Sequence, residues 1–154
     1  MTMSKMLCKA KSLDNGKWVQ GYFATAAWYE DDSKVNVIIP IDAVLYPHCE
    51  INMCEVDARM LCRYTGINDR NGVPIFENDT VVYEAEEDGQ RCSDIATVRY
   101  SEKAGRWFID WNEYVASWLN IDDGKELRVI GNTYDISEQE ETYGNERHSE
   151  TDAE

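Results

Sequence analysis

The 154-residue chain reads as mainly β, with little helix. Three observations predict it: turn-forming clusters recur along the chain, the runs between them are rich in β-branched and aromatic residues, and helix-starting signals are few. The turn clusters are Asp14-Asn15-Gly16, Asp69-Arg70-Asn71-Gly72, Glu87-Asp88-Gly89, Ala104-Gly105 and Asp122-Asp123-Gly124. Asn-Gly and Asp-Gly suit the positive backbone angles of tight hairpins.

Taken in order, strands are expected over residues 17–25, 35–39, 75–84, 95–100, 107–111 and 127–130. Residues 80–84 and 95–100 place apolar and polar side chains roughly on opposite faces, the pattern of a half-buried strand. Asp57 is placed to cap one short helix through Ala58, Arg59, Met60 and Leu61. Residues 114–120 are ambiguous between a helical turn and a strand. The expected organisation is an N-terminal β-rich lobe over 1–62, an SH3-like small barrel over 63–136, and a disordered acidic tail over 137–154. Short antiparallel strands that close into a barrel leave no exposed edge to aggregate.

Charge narrows the function classes. The 15 basic and 30 acidic residues leave a net −15. Such a chain repels phosphate backbones, which argues against direct nucleic-acid binding, and likewise against anionic membranes. No apolar run reaches the ~18 residues of a membrane span. Residues 1–10 lack a signal-peptide core, so secretion is not expected. The tail holds seven acids and one arginine and has almost nothing to bury. Residues 77–94 carry seven acids and one arginine, and the run reads as a solvated loop around a charged turn at Glu86-Glu87-Asp88-Gly89.

Cys8, Cys49, Cys54, Cys62 and Cys92 make an odd count, which suits reduced thiols. His48 with Cys49, Cys54 and Cys62 lacks the paired spacing of a structural zinc site, so no metal and no cofactor is expected. The two histidines are His48, a loop residue and the weak candidate for a catalytic base, and His148 in the tail. Phosphate-cradling glycine loops are absent. The chain is therefore not expected to be an enzyme.

Three motifs in order then carry a family resemblance. They are Lys9-Ala10-Lys11 with Asp14 to Tyr22, the run from Tyr64 to Asp79, and Val129-Ile130-Gly131-Asn132-Thr133-Tyr134-Asp135. Together they resemble the YopX-like family of phage and prophage proteins. Two positions depart from the family pattern: Asn78 stands where glycine is frequent, and Ala10 likewise. Asn tolerates a positive φ better than most residues, so the turn at Asn78 can survive. The resemblance implies an SH3-type fold, a phage setting and hence the cytoplasm of a bacterial host, and it brings no catalytic residues.

Physically the central motif reads as structure. Tyr64 and Thr65 extend a strand, and Gly66 permits a bend. Asp69 accepts backbone hydrogen bonds within the Asn71-Gly72 turn, Ile75 and Phe76 enter the core, and Asp79 folds back on a nearby amide. Gly131 and Asn132 belong to the closing motif.

The candidate partner-binding residues lie elsewhere. Trp111, Tyr114 and Trp118 crowd one short stretch beside Asp122 and Asp123, and aromatic anchors of this kind are favoured at interfaces. Barrel core is their alternative role. Glu86, Glu87 and Asp88 supply the charge. The expected function is a non-catalytic phage accessory protein that binds a host protein, as an acidic inhibitor or nucleic-acid mimic countering host defence. Two alternatives stay open: an oligomeric protein sequestering a small ligand such as a signal nucleotide, with Arg59, Arg63 and Arg70 gathering locally, and a structural phage module. The charge of the deepest pocket separates the first two.

Overall fold

A computed structural model describes residues 7–44, 47 and 51–135. The chain is mainly β. Eleven strands are described: β1 (Leu7–Lys11), β2 (Trp18–Ala27), β3 (Lys34–Pro40), β4 (Cys54–Glu55), β5 (Cys62–Asn68), β6 (Pro74–Phe76), β7 (Asp79–Glu87), β8 (Gln90–Ser101), β9 (Arg106–Asn112), β10 (Val115–Trp118) and β11 (Leu127–Asn132). They form two sheets, ordered β4-β3-β2-β1-β5-β6 and β10-β9-β8-β7-β11. Among the described residues no helix is long and apolar enough to cross a membrane.

The chain divides into two compact units. The first runs to Ile67 and adds Pro74–Glu77; the second holds Asn68–Val73 and the chain from Asn78 onward. The sequence suggested one cut after residue 62. Residues 63–67 and 74–77 fall in the first unit, where β5 pairs with β1 through Cys8↔Arg63 and Lys9↔Cys62 and β6 joins the same sheet beside β5.

In the first unit Ala10, Ile38 and Val56 are buried, with Val19, Phe23, Cys54 and Leu61 packed around them. Asp57 caps a single 3₁₀ turn, Ala58–Met60, by accepting a hydrogen bond from the Arg59 amide. The helix expected there is thus one turn long. Lys9 and Lys11 are buried, and their ammonium groups lie over the Trp18 ring at 4.8 and 5.4 Å. Lys9 also lies 5.0 Å from the Phe76 ring centre. Such contacts let a long cationic side chain bury its stem while the charge meets an aromatic face.

Residues 75–84 were expected to be one strand, but the chain breaks at Glu77-Asn78. Ile75 and Phe76 go to β6 of the first sheet, and Asp79 opens β7 of the second. Asn78 makes the break with φ +65°, donating its amide to the Val98 carbonyl and accepting from the Thr133 amide. The second unit is then a meander from β7 to β10, a 3₁₀ turn at Asp123–Lys125, and β11 returning antiparallel to β7. Val81, Val98, Ile109 and Leu127 are fully or almost fully buried in it. Residues 114–120, ambiguous in sequence, contain the strand β10.

Candidate functional site

The second unit holds a groove of about 430 Å³. Its walls come from four successive strands, β7 to β10, and from the segment that leads into β11. Tyr83 lies on β7, Asp94 and Ile95 on β8, Ile109 and Trp111 on β9, and Val115 and Ser117 on β10. Asn112 at the end of β9, Asp123 of the 3₁₀ turn, Glu126 and Leu127 complete it. Three carboxylates therefore line the groove, and none of its lining residues is lysine or arginine. Its apolar surface is aromatic and aliphatic. Trp111 is held in place by an indole N–H that donates to the Ser117 hydroxyl at 3.0 Å.

A smaller cleft of about 360 Å³ is lined by Ser101, Phe108, Ala116, Ser117 and Trp118. Trp118 is 42% exposed, and the Arg106 guanidinium sits 4.6 Å from its ring centre. Of the aromatic residues picked from sequence, Trp111 lines the groove and Trp118 the cleft. Tyr114 stands apart at 91% exposure, in the turn between β9 and β10. Glu86, Glu87 and Asp88 are exposed at the far tip of the β7–β8 hairpin, and none of them lines the groove.

The acidic run is also ordered differently than expected. β7 and β8 stay paired out to Glu87↔Gln90, so residues 85–87 continue the strand and are not loop. Asp88 and Gly89, with φ +51° and +77°, form the two-residue turn. Asp94 and Glu126 were missed as groove residues. Only the cross-strand register that sets Asp94 beside Tyr83 and brings β11 to β7 unites them with Asp123.

The family-motif residues hold structure together. Tyr64 packs against Phe76 with ring centres 5.7 Å apart, and burial pushes its phenol pKa up. Thr65 donates its hydroxyl to the Ile75 carbonyl at 2.8 Å. Gly66 has φ +84° and Gly72 φ +79°. The buried Asp69 accepts from the Asn71 and Val73 amides through one oxygen, at 2.8 and 2.9 Å, and from the Val129 amide through the other, at 3.0 Å. Asp79, fully buried, accepts from the Asn132 side-chain amide at 2.9 Å, a partner 53 residues away. Gly131 sits where the β11–β7 register shifts, opposite Thr80.

Arg59, Arg63 and Arg70 each meet a carboxylate: Asp57 at 2.7 Å, Glu77 at 2.8 Å and Glu84 at 2.7 Å. Cys8, Cys54, Cys62 and Cys92 form no disulfide, and burial raises the pKa of Cys8, which makes its thiolate scarcer. Among the described residues no group of three or more His, Cys, Asp or Glu is placed to hold a metal ion. His48, Cys49, His148 and the tail 137–154 lie outside the described residues.

These features define a small, acidic, mainly β protein with an aromatic-walled groove. The chain belongs to the YopX protein family, whose model matches residues 10–139. It is also similar to a solved structure, the crystal structure of protein EF1440 from Enterococcus faecalis, at 22% identity and a TM-score of 0.46, over 81% of this chain and 90% of that one. No curated protein matches it.

Proposed function

We propose that this is a non-catalytic, phage-type accessory protein that binds a basic segment of a host protein through the groove of its second unit. One observation carries the reading: Asp94, Asp123 and Glu126 line a groove that has no basic residue, beside Tyr83 and Trp111. Carboxylates in a concave, partly apolar site attract cationic side chains, and aromatic walls add cation–π contact. In this reading the second unit is an SH3-like, partly open barrel. Its supports are the β7–β10 meander, the 3₁₀ turn before the last strand, and the return of β11 to β7.

The nucleotide reading is less favoured. An anionic ligand wants a basic pocket, and Arg59, Arg63 and Arg70 already face carboxylates. The acidic groove also fits inhibition of a host protein that normally holds nucleic acid in a basic channel.

The test is capture from bacterial lysate by the full chain, beside a variant carrying Asp94→Asn, Asp123→Asn and Glu126→Gln. Mass spectrometry then identifies bound proteins and small molecules. A basic protein retained by the native chain and lost from the variant is the expected result. Retention of a nucleotide, or of the same protein by both chains, contradicts the reading.

A further inference from the structure

The two outermost strands of the second sheet are treated differently. The outer edge of β11 is covered: the Arg70 amide donates to the Leu127 carbonyl, and Asp69 accepts from the Val129 amide. Among the described residues nothing comparable covers β10. Its four residues, Val-Ala-Ser-Trp, are all exposed and include no lysine and no proline. Natural edge strands are commonly blunted by such residues, because unpaired amides and carbonyls invite another strand. One register irregularity occurs, at Val115/Ala116, and it leaves Ala116 to Trp118 in regular pairing with β9.

The direction of the backbone groups follows from the ladder. The Leu119 amide donates to the Trp107 carbonyl, in line with the pairs Trp118↔Phe108 and Ser117↔Ile109. Hydrogen-bonded and non-bonded pairs alternate in an antiparallel ladder. Ser117 therefore turns its amide and carbonyl toward β9, while Ala116 and Trp118 turn theirs outward. The Trp118 carbonyl already accepts from the Asn120 side chain at 3.3 Å. The side chains alternate too. Val115 lines the acidic groove alone, Ala116 and Trp118 line the apolar cleft with Phe108, and the small Ser117 touches both.

We propose that the host segment binds by strand addition, pairing antiparallel with the outer edge of β10, with basic side chains over the acidic groove and apolar ones against Trp118 and Phe108. The inference rests on the groove reading above and adds to it a binding mode and a sequence code. Residues directly opposite one another in a ladder share a face. The partner residues opposite Ala116 and Trp118 are thus the apolar ones, and their amides and carbonyls make the hydrogen bonds. The basic residues between them point their amides away. Main-chain pairing supplies affinity and alternate side chains supply specificity. A second copy of this chain is a poorer occupant, since Glu113, Asp122 and Asp123 flank β10 and would meet their own kind.

The experiment uses the full chain and synthetic eight-residue peptides of four lysines and four valines. One alternates the two residues and one places them in two blocks. Two further versions of the alternating peptide carry N-methyl groups, on the valines or on the lysines. Affinity and amide hydrogen exchange of the protein are read together. The alternating peptide is expected to bind at least about tenfold tighter than the block peptide and to slow exchange at Ala116 and Trp118. Methylation of the valines is expected to abolish this gain, and methylation of the lysines to leave it. Equal binding of alternating and block peptides, no protection at Ala116, or loss on lysine methylation overturns strand addition, while salt-sensitive binding of both peptides would still uphold the acidic groove. Failure of every lysine peptide to bind at low salt overturns the groove reading as well. Protection of Ala116 that rises with protein concentration, without peptide, assigns the edge to a second copy and overturns the proposal.

Discussion

Asp69 fixes three backbone amides at once, two within its own turn and one 60 residues further along. Replacing it with alanine leaves these donors without their acceptor, so Asp69→Ala is expected to cost about 3 kcal/mol, measured by urea unfolding. A variant as stable as the parent would remove Asp69 from this role. Two glycines separate conformational strain from collision. A Cβ at Gly72 meets nothing within 4 Å, so Gly72→Ala pays only for its φ of +79°, about 1 kcal/mol. A Cβ at Gly21 overlaps the Ile39 carbonyl across the ladder, so the strands must part. Gly21→Ala is expected to lower the melting temperature more than Gly72→Ala, and the reverse order would contradict the close approach. Sequence made the turn roles of Asp69 and Gly72 legible because turn chemistry is local. The need for glycine at position 21 was not legible, because it depends on β3 lying opposite.

At the scale of elements, the β7–β8 hairpin shows where charge misleads. Seven acids in residues 77–94 suggested a solvated loop, yet cross-strand pairing carries both strands to a two-residue turn. Glu84 on this hairpin meets two cations, Arg128 of β11 at 3.0 Å and Arg70 of the 69–73 turn at 2.7 Å. Hydrogen bonds from Arg128 and then Arg70 hold its carboxyl below the ordinary glutamate range. A carboxylate with a depressed folded-state pKa stabilises the fold above its unfolded value, and loses that contribution as pH falls through the depressed one. The Glu84 carboxyl, followed by carbon NMR, should titrate below a free glutamate and move upward in Arg128→Ala. No movement would show that Arg128 does not set it. Strand locations were largely readable from alternation, whereas the break at Glu77-Asn78 was not, since residues 75–84 form one continuous β-rich run.

For the whole molecule, a net charge of −15 steers encounters with cationic partners over about one Debye length, ~10 Å at 0.1 M salt. Glu86, Glu87 and Asp88, exposed at a hairpin tip, belong to this long-range role, so neutralising them should slow association. Trp118, at the cleft, should act after contact, and Trp118→Ala is expected to speed dissociation. Trp111 and Trp118 stood out because tryptophan clusters are conspicuous, whereas Tyr83 of the groove did not. Asp94 and Glu126 were hidden among 30 acids until the ladder brought them to one groove. The most direct measurement is the affinity of the alternating lysine–valine peptide at two salt concentrations, for the native chain and for the chain with Asp94→Asn, Asp123→Asn and Glu126→Gln. The account predicts binding that weakens with salt in the native chain and is mostly lost in the variant; equal affinity for both chains, or indifference to salt, would contradict it.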